Sequence, residues 1–294
     1  MKVLVYGATG VQGSEVAKQL LEAGDSVRVI TRDATRAAHW TSSGAEIAVA
    51  NLDTGEGLAE AHGGVDAVFI QISASILPHQ IVHHARNALR AAQDTSQVVV
   101  TTSSVVPSEK VGIAAPDVRY DFANLVHEIV PNAILLVPTL FLENFSQALL
   151  PAIAQGMIPY PVPDDLPVSY ISVEDQAKFA VAALKRPELR GNTYRIAGPD
   201  TLTGKQLSDK FTAILGRDIQ YIAITPAAFR GELAKFVPDD IAEAVAQMYA
   251  YETQQGGHLL SPSLDQTLKD LPINQTTIED WIRAQNWTIQ QGEY

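Results

Sequence analysis

The chain contains no cysteine. That excludes disulfides, thiolate metal sites and thiol redox chemistry, and it points to a reducing compartment. Long apolar runs are missing too. The longest covers residues 133–142 and holds Pro138, well short of the ~20 residues that cross a bilayer as a helix. Positive charge is scarce, with 21 Lys and Arg against 33 Asp and Glu and a formal net charge of −12. This balance argues against nucleic acid or a membrane surface as partner. A Gly-x-Ser-x-Gly elbow and a His-Glu-x-x-His run are absent as well, so serine hydrolysis and zinc peptidase chemistry have no foothold. The first residues enter a strand-like run directly, which reads as no leader segment. The expected location is cytoplasmic.

What is present is an alternation of two periodicities. The 294 residues, 46% hydrophobic and 18% charged, suffice for one large α/β unit or two interleaved ones. Strand-like runs lie at 2–6, 26–31, 46–50, 67–72, 97–102 and 133–137, with helical stretches at 14–23, 34–42, 78–92 and 120–130 between them. The strands are rich in β-branched residues and lack polar alternation, as strands covered on both faces do. The predicted fold is therefore an α/β, Rossmann-type doubly wound parallel sheet with a smaller C-terminal α/β lobe. The expected division is 1–150 for the nucleotide-binding domain and 151–294 for a lobe interleaved with it. In the second half, residues 159–167 are proline-rich and read as an exposed loop. Helices are predicted at 173–184, 204–215 and 239–251, and strands at 193–196 and 219–224. Thr276 with Glu279 reads as a capping box opening a last helix.

The most specific signal is Gly7-Ala8-Thr9-Gly10-Val11-Gln12-Gly13, directly after the first strand. Gly7 permits the tight turn, Gly10 lets backbone approach a phosphate, and Gly13 lets the helix pack close to the sheet. Thr9, Val11 and Gln12 complete the turn, and the helix N-terminus offers N–H groups to a pyrophosphate. At the tip of the second strand, Arg32 is a forked cation suited to a 2′-phosphate, with Arg36 one turn further on. NADP(H) is therefore expected over NAD(H). Asn51 and Leu52 follow the third strand, Gln71 and Ser73 the fourth, and Thr102 the fifth. All belong to the strand ends where open parallel sheets bind ligands. His79, His83 and His84 lie on the helix after the fourth strand, and His79 and His83 share a face, but no carboxylate or third histidine stands nearby in a recognisable ligand arrangement, and no metal site is expected.

These segments, together with Pro138-Thr139-Leu140-Phe141-Leu142-Glu143-Asn144, Val173-Glu174-Asp175-Gln176-Ala177 and Gly191-Asn192-Thr193-Tyr194-Arg195-Ile196-Ala197-Gly198, resemble the NmrA-like group of atypical short-chain dehydrogenase relatives. The resemblance runs over nearly the whole chain. It implies either an NADPH-dependent reductase acting on a quinone or similar small carbonyl, or a non-catalytic NADP(H) sensor working through a protein partner. It also marks a departure. A classical member of the wider class pairs Tyr and Lys at i and i+4, where the cation lowers the phenol's pKa. Here Tyr120 is followed four residues later by Asn124, where reductase members of the group usually carry lysine. Tyr120 and Asn124 are thus the catalytic candidates, with Lys110 and Arg119 nearby in sequence. The missing lysine weakens an isomerase or epimerase reading. Phe141, Asn144 and Phe145 are the candidate substrate-pocket residues, with a core role the alternative for the two phenylalanines.

Overall fold

The computed structural model describes residues 1–73, 76–146 and 149–287. The chain forms two compact units, each built from three segments. The first comprises Met1–Pro138, Val173–Ile196 and Leu264–Ile273, and the second Thr139–Ser172, Ala197–Ser263 and the chain from Asn274 on. The division expected at residue 150 is therefore corrected. Residues 173–196 return to the first unit because they supply it with a helix and an edge strand.

The first unit is a seven-stranded sheet. Its strands are β1 (Lys2–Val5), β2 (Ser26–Thr31), β3 (Glu46–Val49), β4 (Ala67–Gln71), β5 (Gln97–Thr101), β6 (Ile134–Pro138) and β7 (Thr193–Ile196). Every pairing is parallel, in the order β3-β2-β1-β4-β5-β6-β7. The order changes direction between β1 and β4, which opens a crevice at their carboxyl ends. The longer helices that cover the sheet, among the described residues, are α1 (Val11–Glu22), α2 (Pro78–Ala92), α3 (Ala114–Ile129) and α4 (Val173–Leu184). α1 packs on α4, and α2 on α3.

Period-two geometry sorts each strand between these layers. Leu4, Val68, Ile70, Val98, Val100 and Leu135 face α2 and α3, where they meet Ile81, Ala85, Leu89, Phe122, Leu125 and Val126. Val3, Val5, Phe69 and Val99 are equally buried and alternate with them. Each such side chain contributes about 1.5–3 kcal/mol by leaving water, so polar alternation would be costly. Buried polar residues in this layer include Gln97 and Thr101. The buried Gln97 amide donates to the Ala183 carbonyl at 2.8 Å and its oxygen accepts from Arg190 Nε at 2.8 Å.

Two helices start earlier than their periodicity predicts. α1 begins at Val11, directly from the glycine turn. α3 begins at Ala114, because the Asp117 carboxylate accepts the N–H groups of Val111 and Gly112 and secures the lead-in.

The second unit is smaller, and proline was misleading there. Met157–Tyr160 is a strand, paired in parallel with Gln220–Ala223, and Tyr160 and Val162 are buried. Pro159 is tolerated because a two-stranded pair leaves its N–H side without a ladder partner. A second pair joins Val168–Ser169 to Thr201–Leu202. The last helix, Ile278–Ala284, is capped by Thr277 through the Asp280 N–H, not by Thr276. The one-residue shift lets Ile278 N–H reach the Asp200 carboxylate and lets Glu279 pair with Lys210.

At the end of β1, Tyr6 is buried and its hydroxyl meets His62 Nε2 at 2.7 Å. Burial and the nearby Arg28 guanidinium hold His62 at about 4, against an ordinary 6.5. Unfolded protein therefore takes up a proton that folded His62 refuses. The urea midpoint is expected to fall as pH drops from 6.5 through about 4, before the lowered carboxylates of Asp25 and Asp33 add their own loss. His62→Gln should flatten that first limb. An unchanged slope in the variant would show that His62 does not titrate this way.

Candidate functional site

The turn after β1 is shaped by two steric constraints. Gly7 has φ +75°, and a Cβ there would lie 2.4 Å from Gln71 Oε1. Gly13, in the first turn of α1, has less room still. A Cβ would fall 2.4 Å from the Gly7 carbonyl carbon and 2.7 Å from the Tyr6 oxygen. The helix therefore rests directly on the backbone that leaves the strand. Trp40 supports the same turn from below, its indole N–H donating to the Ala8 carbonyl at 3.0 Å.

Gly10 is different. It is exposed, and a Cβ would meet only the Gly7 oxygen, at 3.4 Å. No side chain caps α1 at this point, so the N–H groups of its first turn are left for a ligand or water. Thr9 and Val11 are exposed beside it. Gln12 is half-buried, and its Oε1 is buried with no hydrogen-bond partner among the described residues. The helix dipole adds partial positive charge here. This is a cradle for an anion with an unspent acceptor at its side.

The carboxyl ends of the neighbouring strands bring the other expected residues to the same edge of the sheet. Beyond β2, Thr31 Oγ1 accepts from Asp33 N–H, and the Asp33 carboxylate accepts from Thr35 N–H and Oγ1 at 2.9 and 2.6 Å. These bonds hold the Asp33 carboxyl below the usual range and commit it to its own turn. Arg32 is left exposed, with no hydrogen bond or ion pair among the described residues, and Arg36 is exposed as well.

Beyond β3, Asn51 Oδ1 accepts the Asp53 N–H at 2.8 Å, and Leu52 is half-buried against the core. Gln71 ends β4 beneath Gly7, its amide donating to the Ile72 carbonyl at 3.0 Å, and Ser73 is exposed. Thr102 is buried beyond β5 and spends its hydroxyl on the Ser104 carbonyl at 2.7 Å. It shapes the loop more directly than it faces solvent.

Tyr120 and Asn124 lie on α3 with the spacing read from sequence. Tyr120 is half-buried and Asn124 exposed. Lys110 pairs its ammonium with Asp121 at 2.8 Å.

Phe141, Asn144 and Phe145 all belong to the second unit, where the two phenylalanines are buried, as in the alternative core role, and Asn144 is half-buried. Phe145 has no exposed surface and packs among Tyr160, Tyr170 and Phe211. Phe141 is buried and bridges to Ile171. Asn144 donates to the Tyr160 hydroxyl at 3.0 Å, and that hydroxyl meets Tyr249 at 2.7 Å. Phe145 is core because three further rings converge on it, a convergence no local pattern reveals.

The histidines are absorbed elsewhere. His83 and His84 turn toward the Asp53 loop. Among the described residues, no group of three or more His, Asp or Glu could hold a metal ion. No described helix is long and apolar enough to cross a membrane.

A parallel sheet with a glycine turn at its switch point defines the Rossmann-like doubly wound class. Within that class the chain belongs to the NmrA-like family, whose model matches residues 1–282. The NAD(P)H azoreductase of Xenophilus azovorans is 29% identical over 256 residues, spanning 84% of this chain and 86% of the relative. The fold is similar to that of the NADPH-dependent quinone oxidoreductase of Escherichia coli in complex with NADPH. There the TM-score is 0.81 at 21% identity, covering 96% of this chain and 99% of that one. It is also similar to NmrA, a negative transcriptional regulator, with a TM-score of 0.73 at 14% identity, covering 96% and 94%.

Gly10, just before α1, and Gly13, in its first turn, should respond differently to substitution. Gly13→Ala is expected to cost about 1–3 kcal/mol in urea unfolding, because neither backbone has room to yield. Gly10→Ala should leave stability within about 0.5 kcal/mol, as an exposed change with ordinary φ does. Equal losses in both would contradict this account of the turn.

Proposed function

We propose that the protein binds NADP(H) and catalyses the two-electron reduction of a quinone or a similar small conjugated acceptor. The observation that carries this is the uncapped, exposed start of α1 above a turn that admits no Cβ at Gly7 or Gly13. Such a cradle suits a pyrophosphate. Gly7, Thr9, Gly10, Val11, Gln12 and Gly13 would hold it, and the buried Gln12 Oε1 is ready to accept a ligand hydroxyl or amide. Arg32 and Arg36 would take the 2′-phosphate, and Arg32 suits this role because Asp33 is already committed to its own turn. Asn51 and Leu52 would border adenine. Gln71, Ser73 and Thr102 would shape the remaining strand ends. Bound NADPH supplies a hydride equivalent.

The acceptor class follows from what the chain lacks. With Asn124 one turn from Tyr120, where the usual lysine would stand, and Lys110 paired to Asp121, the phenol lacks the usual lysine partner. A ketone needs a proton delivered as its alkoxide forms. A quinone becomes a stabilised phenolate, and solvent can then protonate it. Orientation carries more of such a reaction than acid catalysis does. The names of the azoreductase and quinone oxidoreductase relatives fit this reading.

The same absence favours a second reading, an NADP(H) sensor that acts on a protein partner, as the likeness to the NmrA regulator suggests.

NADPH oxidation with a panel of quinones and an azo dye, run beside direct NADPH binding, separates the two. The expected result is saturable turnover that Gly10→Val abolishes without loss of fold. Binding without turnover would select the sensor, and no binding would remove both readings. Arg32→Ala is expected to weaken NADPH roughly tenfold while leaving NADH nearly unchanged, as loss of one charge-assisted contact does. Equal effects on the two nucleotides would overturn the 2′-phosphate assignment.

A further inference from the structure

The loop after β3 is held from outside by α2. It is closed on itself by Asn51 N–H donating to the Glu56 carbonyl at 2.9 Å and Gly55 N–H to the Asn51 carbonyl at 2.8 Å. Its outer rim is then taken up by three side chains from two successive turns of α2. Asn87 Nδ2 donates to the Leu52 carbonyl at 2.8 Å, His83 Nε2 contacts the Asp53 carbonyl at 2.8 Å, and His84 Nε2 meets the Asp53 carboxylate at 2.6 Å. A carbonyl and a carboxylate only accept, so both imidazoles must present Nε2–H. The 3.4 Å approach of Asn87 Nδ2 to His83 Nε2 is then a donor facing a donor, and the loop carbonyls are their true partners. The His84 side chain is only 13% exposed, which fixes its direction. Surface histidines seldom converge on one short loop, and the convergence asks for a reason.

The far side of the loop supplies one. Asp53 also lies within electrostatic reach of Arg32 at the end of β2, the residue assigned to the 2′-phosphate. The His84 hydrogen bond comes first among the influences that hold the Asp53 carboxyl low, and Arg32 contributes less. A carboxylate drawn to His84 is one withheld from Arg32.

We propose that His83, His84 and Asn87 are positioning residues for the adenosine end of the nucleotide. They fix the Asn51–Leu52–Asp53 backbone in register and keep the Asp53 carboxylate turned to α2, so that Arg32 remains available to a 2′-phosphate. This rests on the reading of the chain as an NADP(H)-binding protein. It adds a layer outside the contact residues, carried by a helix that has no other part in that reading. None of the three touches the reacting atoms, so their effect belongs to affinity and not to turnover.

The test is calorimetric titration with NADPH and with 2′,5′-ADP, a fragment holding only the adenosine end, followed by steady-state kinetics. The wild-type protein comes first: failure to bind either probe would sink the cofactor reading itself. With wild-type binding established, the His84→Ala/Asn87→Ala double variant is expected to weaken both probes about tenfold, the scale of losing one or two such bonds. KM for NADPH should rise with kcat nearly unchanged. His84→Gln, which keeps a donor, should recover most of the affinity, and His79→Ala, one turn before His83 and outside the hydrogen bonds that hold this loop, should change nothing. Wild-type affinity in the folded double variant would overturn the proposal. So would a fall in kcat with KM constant, or a loss for NADPH with 2′,5′-ADP unaffected.

Discussion

The contact between Gly13 and the backbone of Gly7 is the constraint on which the first unit's site depends. With a Cβ excluded by 2.4 Å approaches, the first turn of α1 lies against the end of β1 and not beside it. That proximity sets the direction of α1, and with it the direction of the uncapped N–H groups. It also forces Gly7 to positive φ above Gln71, which places the turn at the boundary between β1 and β4 where the strand order reverses. A larger residue at either place would move the helix end away from the switch point. Anion affinity falls off within the first turn of a helix, so such a shift would matter more for ligand than for fold.

Around this contact, the polar residues divide into those used locally and those left over. Asp33, Asn51, Thr102 and Lys110 all have partners in their own loops or helices. Arg32, Gln12 Oε1 and the start of α1 do not, among the described residues. A free cation, a buried acceptor and a row of backbone donors along one sheet edge form an unfinished set, and a phosphorylated dinucleotide would complete it. The second unit shows the opposite economy. Its tyrosine hydroxyls meet one another and Asn144 in the interior, and burial pushes the Tyr160 and Tyr249 hydroxyls far above their ordinary range. Those phenols stay protonated and serve as structure.

Much of the first unit was legible residue by residue. The spans of α2 and α4 coincide with the helical stretches expected at 78–92 and 173–184. β2 and β7 matched their expected limits. Strand ends elsewhere moved by a residue, and Thr277 took the cap from Thr276, since both positions precede an acid three residues later. The strand at Met157–Tyr160 was hidden by its prolines, and the core role of Phe145 by the absence of any local period to reveal it. The histidines of α2 were visible as a cluster but not as loop partners, because Asp53 is about thirty residues away in the chain.

By itself the sequence determined the parallel sheet, the glycine turn and the cation at the tip of β2. Each is a local matter of propensity, spacing or a missing Cβ. Tertiary structure decided the rest: that residues 173–196 join the first unit, that Asp33 is occupied while Arg32 is not, and that His83, His84 and Asn87 converge on one loop. Those outcomes depend on which groups from distant segments come within about 3 Å of each other. That distance is set by packing of the whole layer, and no local window of sequence contains it.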